Sequence, residues 1–172
     1  MLRIIVKFFL LLTISASFAF AENNTIIRSI DINHILNQSI VGKEIINNLD
    51  SQGKKFVKEH KDIEKNLLIS KEKILSQKNL LSKNEFEKKI LDHQKKVSEF
   101  QNKKQNDLNI INQKKLDLTN KLLSKLNDIL IEYKQKNSID MIVKKESVLI
   151  ISSELDITKI ILDEFNKKIK KL

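Results

Sequence analysis

From Val41 to Lys136 the chain runs for 96 residues without a proline, and its two glycines, Gly42 and Gly53, both fall early in that run. Apolar residues return along it every three, four and seven positions, which is the period of a helix and not of a strand. One place inside it reverses direction. At Leu81-Ser82-Lys83-Asn84-Glu85-Phe86, Ser82 is placed to cap a new helix and Glu85, three residues on, completes a capping box. The stretch therefore predicts a hairpin of two long helical arms over residues 40–136, with the reversal near 81–84. Arms of roughly 40 to 50 residues, at ~1.5 Å each, reach about 60 to 75 Å.

A heptad frame places Gly42, Leu49, Phe56, Ile63, Ser70 and Gln77 at one seam position of the first arm, and Ile46, Gly53, His60, Leu67, Ile74 and Leu81 at the other. Half of that seam is polar. Such an arm is bendable and separates locally from its partner more readily than a strict coiled coil does. Folding the arms about the reversal sets Leu67 near Phe100 and Phe56 near Ile111.

The rest of the 172-residue chain is small. At the N-terminus Arg3 and Lys7 precede the apolar run Phe8 to Ile14, and small residues follow to Ala19-Phe20-Ala21. That is the pattern of a signal peptide over residues 1–21 with cleavage after Ala21, and the run is short of the ~20 apolar residues a spanning helix needs. The expected location is outside the cytoplasm. Ile26 to Ile32 alternates with β-branched residues and predicts a strand. Ile139–Val143 and Val148–Ile151 predict a pair of strands, and Asp156 is placed to cap a last helix bearing Ile157, Ile160, Ile161, Phe165 and Ile169 on one face. Residues 22–39 and 137–172 would thus form a β-rich base. The fold class is mostly α, with a coiled-coil-like hairpin arm on a short-stranded β body. A base so thin, with open sheet edges, calls for oligomerisation.

Charge points the same way. The chain has 32 basic and 22 acidic residues, net +10, and between Val41 and Lys136 there are 22 lysines against 14 acidic residues. Once the leader's two basic residues are set aside, all of the excess lies on the arms. Only Arg3 and Arg28 are arginines. Scattered lysine gives diffuse, salt-sensitive attraction, whereas bidentate reading of bases or phosphates favours arginine. A solvated lysine-rich face and a surface for acidic clients or lipid headgroups both fit. Duplex recognition fits less well, and no nucleic acid partner is expected.

Enzyme chemistry finds little support. There is no cysteine, no Gly-rich phosphate loop and no nucleophile motif. His34, His60 and His93 are spread over the base and both arms and suit seam or surface positions better than a metal site. No cofactor is expected.

In this order of elements the chain resembles the Skp family of periplasmic chaperones, also called the OmpH family. The resemblance rests on the run Asp31-Ile32-Asn33-His34-Ile35-Leu36-Asn37-Gln38-Ser39-Ile40-Val41-Gly42-Lys43, on the Leu81–Phe86 reversal, on Ile139–Val143 and on the closing Leu155-Asp156-Ile157-Thr158. Ile40 stands where the family often has proline, and no proline sits near Ser152-Ser153. The resemblance implies a homotrimer whose arms surround a cavity, and an ATP-independent holdase for unfolded outer-membrane proteins. Phe56, Phe86 and Phe100 are then candidate client contacts, with seam packing as the alternative. Lys88, Lys89, Lys95 and Lys96 near the arm tip are candidate contacts for anionic lipid or acidic client segments. A nucleic-acid-binding helical protein and a structural coiled-coil spacer of the envelope are the competing readings.

Overall fold

The structure is a computed structural model and describes residues 25–172. The expected leader and its cleavage site lie outside the described residues. The elements in chain order are strand β1 (Ile27–Ile30), helix α1 (Ile32–Gln38), helix α2 (Ile40–Ser76), helix α3 (Lys83–Lys136), strand β2 (Met141–Lys144) and helix α4 (Thr158–Lys168). A long helical hairpin stands on a small β base, as the patterning predicts.

The arms are unequal. Helix α2 has 37 residues and α3 has 54, so at ~1.5 Å per residue they extend about 55 and about 80 Å. The difference arises because α1 breaks the first arm at its root, whereas α3 runs unbroken from the tip into the base. The reversal begins earlier than the expected Leu81: α2 ends at Ser76, and Gln77 N–H still donates to the Ile74 carbonyl. The capping box is present as the sequence predicts, with Ser82 N–H on Glu85 Oε2 at 3.0 Å and Glu85 N–H on Ser82 Oγ at 3.4 Å.

At the base, β1 and β2 pair in parallel, with Ile27 opposite Met141 and Ile30 opposite Lys144. Two expectations are corrected here. The first strand stops at Ile30, because the Asp31 carboxylate accepts from His34 N–H at 2.7 Å and starts α1, a helix that the β-branched run conceals. Val148–Ile151 is not a strand. Lys145–Ser147 forms a single 3-10 turn, and the second side of β1 is taken by Asp156 and by Ile157, whose N–H donates to the Ser29 carbonyl at 2.9 Å. The segment pairs with neither strand, the 3-10 turn standing where a hairpin turn would return it along β2, and the sheet has two strands.

The last helix begins one residue beyond the expected boundary. Its N-cap is Ile157, which makes no side-chain cap bond, and Asp156 lies one residue before it, its carboxylate accepting from Thr158 N–H at 2.9 Å and from the Thr158 hydroxyl at 2.5 Å. Burial would raise the Asp156 carboxyl, but Lys145 and Thr158 outweigh it and hold the group below the usual carboxylate range. The core sits where the root of α3 meets α1 and α4. Leu122, Leu126 and Ile129 pack there against Ile35, Ile161 and Phe165. Ile161 and Phe165 belong to the apolar face of the last helix read from the sequence.

Candidate functional site

The two arms touch along the expected seam. Leu49, Phe56, Ile63 and Leu67 are half-buried and Ile74 is buried, whereas Ile46 from the same frame is exposed. From α3, Phe86, Ile90, Val97 and Ile111 are half-buried and Phe100 and Asp107 are buried. Gly53 lies opposite Ile111, whose Cδ1 would be 3.8 Å from a Cβ at that position. Leu67 and Phe100 line one groove, as folding about the reversal predicts.

The middle of the seam is a polar and aromatic clasp. His60 Nε2 lies 2.8 Å from Asp107 Oδ2, and Lys103 Nζ is 2.9 Å from the same oxygen. Lys103 also reaches back across the seam to Glu59 at 3.7 Å. The imidazole is stacked on Phe56 at 6.3 Å and meets Phe100 edge-on at 5.8 Å. Lys103 and Lys104 stand 5.7 and 5.5 Å from the Phe56 and Phe100 ring centres, within reach of cation–π attraction. The Lys103 ammonium and the His60 ring together hold the Asp107 carboxyl below its usual range, and Asp107 in turn raises Lys103. Sequence reasoning registers His60 only as a polar position of the first arm's seam and does not pair it with Asp107. Their positions on facing seams were the signal that they meet.

The hairpin carries grooves on both sides of its seam. Ile46, Gly53, Val57, Leu68 and Leu75 follow at intervals of seven, four, eleven and seven residues, all close to whole helical turns. They form a second apolar row beside the seam, and its four large side chains are exposed. Two open grooves lie along it. The one nearer the base, about 650 Å³, is lined by Ile46, Val57, Lys54, Ile111 and Lys115. The one nearer the tip, about 490 Å³, is lined by Leu68, Leu75, Lys71, Ile90, Gln94 and Val97. On the opposite face, near the base, a groove is lined by Ile45, Leu49 and Leu118 together with Asn48, Gln52 and Lys114, with Lys114 Nζ on Gln52 Oε1 at 3.1 Å.

The candidate residues divide by position. Phe100 is 6% exposed and packs in the seam, and Phe56 and Phe86 are half-buried there. Lys88, Lys89, Lys95 and Lys96 are exposed near the tip, and Lys89 Nζ donates to Gln77 Oε1 at 2.8 Å across the reversal. The lysines form two rows seven residues apart on α3. His93 lines the distal groove with Nδ1 buried and unpaired, and exposed His34 lies at the base. Among the described residues no group of His, Cys, Asp or Glu side chains is arranged to hold a metal ion. Nor is any described helix long and apolar enough to cross a membrane.

A family model described as outer membrane protein (OmpH-like) matches residues 27–165, from β1 through most of α4. The chain belongs to the OmpH-like family. A crystal structure described as a candidate OmpH-like outer membrane chaperone from Caulobacter crescentus CB15 shares the fold, with a TM-score of 0.80 over 86% of this chain and 88% of that one. The two are 17% identical. No curated protein matches the chain. The family match spans the base and both arms, so the OmpH-like architecture of arm and base is common to the whole described chain.

Proposed function

We propose that this OmpH-like chain is an ATP-independent holdase of the periplasm that keeps unfolded outer-membrane β-barrel proteins from aggregating. The observation that carries this reading is the exposed apolar row Ile46, Val57, Leu68 and Leu75 beside the seam of an arm far larger than its base requires. Each side chain alone offers a shallow contact. Several such contacts on linked arms add through multivalency, with no nucleotide step, and release follows when the client finds a more stable fold. Phe56, Phe86 and Phe100 join the contact surface where the seam parts, and the excess lysine draws acidic client segments toward the arms. The tip lysines Lys88, Lys89, Lys95 and Lys96 meet anionic lipid or acidic segments of the client.

The working form is a homotrimer whose arms enclose the client. Supporting this, Leu149 is 98% and Ile150 88% exposed on the base segment that has no place in its own sheet, and Met141 on β2 is also exposed. A second copy would cover them. A nucleic-acid role has less support: Arg28 directs a guanidinium nitrogen at the Ile27 carbonyl at 2.9 Å.

The test is aggregation of an unfolded β-barrel protein diluted from denaturant, followed by light scattering without ATP. Full suppression at about one trimer per client is the expected result. Absence of suppression across a salt series would overturn the reading.

A further inference from the structure

The seam is not uniformly closed. Near the base it is sealed by buried Leu122, Leu126 and Ile129. Between there and the tip it is half-buried on most of its length and flanked by the two open grooves. The clasp lies at the junction of these two grooves. Phe100 and Asp107 are buried in it, and the next buried seam residue toward the tip is Ile74. The described polar contacts between α2 and α3 are few: Gln52 with Lys114 toward the base, Gln77 with Lys89 at the tip, and the clasp between them. Only the clasp sets two aromatic rings, Phe56 and Phe100, against a polar bond across the seam. Asp107 keeps Lys103 as a partner on its own helix, so parting the arms there breaks the His60–Asp107 bond and the Lys103–Glu59 pair and uncovers both rings.

We infer that the His60–Asp107 clasp is a mid-arm pin that keeps the distal half of the hairpin paired and confines opening to segments on either side of it. With the pin in place the distal groove widens locally around Leu68 and Leu75. Without it the arms part from the tip down to the level of His60, and the proximal stretch stays paired. Phe56 and Phe100 stand at the pin, so their rings come free only when it opens. This is a statement about the free protein and does not depend on the client reading.

The test uses spin-label distances, and the absence of cysteine from the chain makes labelling clean. Lys71→Cys with Gln94→Cys reports the distal groove, and Lys54→Cys with Lys115→Cys reports the proximal one. Each pair is measured alone and combined with Asp107→Asn, which keeps the side chain's shape and removes its charge. The expected result is a distal distance distribution at least twofold broader and shifted outward in Asp107→Asn, with the proximal distribution unchanged. A distal distribution unchanged by Asp107→Asn would overturn the inference, as would equal broadening of both pairs, which reports general loosening. His60→Leu with Asp107→Leu, an apolar replacement of both partners, supplies a folded comparison if Asp107→Asn unfolds. A distal distribution as narrow as the wild type or narrower in that double variant shows that closure is set at this position, and one broadened together with the proximal pair overturns it. Aggregation suppression, scored separately on the same variants, distinguishes failure of the pin from failure of the holdase reading.

Discussion

Gly42 lies directly beneath the Leu36 carbonyl: a Cβ built on it would sit 1.7 Å from that oxygen and 2.8 Å from Ser39 Oγ. This is the elbow at which α1 hands over to α2. Ser39 is buried, its hydroxyl accepts from Gly42 N–H at 3.1 Å, and the Ile40 N–H is taken by Asn166 Oδ1 at 2.9 Å. The neighbouring atom is backbone and has no rotamer to yield. Gly42→Ala should therefore destabilise the protein by about 1–3 kcal/mol, the range for forcing atoms into a packed site. Urea unfolding followed by circular dichroism measures it, and a stability equal to wild type would contradict the close approach.

At the far end of the arm, Ser82 should be worth about 1 kcal/mol as the cap of α3. Ser82→Ala removes the acceptor for Glu85 N–H, whereas Ser82→Asp restores one. The pair of variants separates capping from any other effect of the change. Equal midpoints of thermal unfolding for Ser82→Ala and wild type would count against the cap.

Acid should act on a defined set of carboxylates. Glu85 is held below its usual range by Ser82, Asp107 by Lys103 and His60, and Glu132 by Lys168. A depressed folded value means that the unfolded chain takes up protons first. The stability these groups contribute is complete above the ordinary carboxylate value of about 4 and is lost as pH falls through their lower folded values. The melting temperature should thus be level from neutral pH to about 5 and fall below about 4. Asp107→Asn should flatten part of that fall. Lys103 and Lys145, both raised by their carboxylate partners, lose their contribution only above the ordinary lysine range, so an alkaline decline belongs well above pH 9.

Self-association should depend on the bare loop of the base. Leu149→Asp combined with Ile150→Asp places two charges where the proposed trimer would bury apolar surface, and neither side chain has a packing role within its own chain. Sedimentation should show a trimer for wild type and a monomer of unchanged helix content for the double variant. A variant that still sediments as a trimer would place the interface elsewhere.

The arms were legible because their signals are local and repeated. A helical period sustained over many turns, the missing proline and the Ser82–Glu85 box each report on a few adjacent residues. The base was harder to read. Ile26–Ile32 has the composition of a strand throughout, and only the Asp31 carboxylate on His34 N–H, which competes with the extended backbone, cuts it short. Val148–Ile151 has strand composition, but Lys145–Ser147 folds into a 3-10 turn in place of a hairpin turn, and which segments pair is a property of the assembled sheet. The clasp was half visible: the heptad frame marks His60 as a seam residue, yet its pairing with Asp107 depends on the register of the two arms.

The parallel pairing of β1 with β2 also bears on the order in which the molecule assembles. The Ile26 N–H donates to the Asp140 carboxylate at 2.7 Å across 114 residues of sequence. Contacts so distant along the chain form slowly, whereas helical turns form within microseconds. During synthesis the arms have all their local contacts available before the sheet can close. Assembly of the base is then the late event, and a newly made chain passes through a stage with paired arms and an open root.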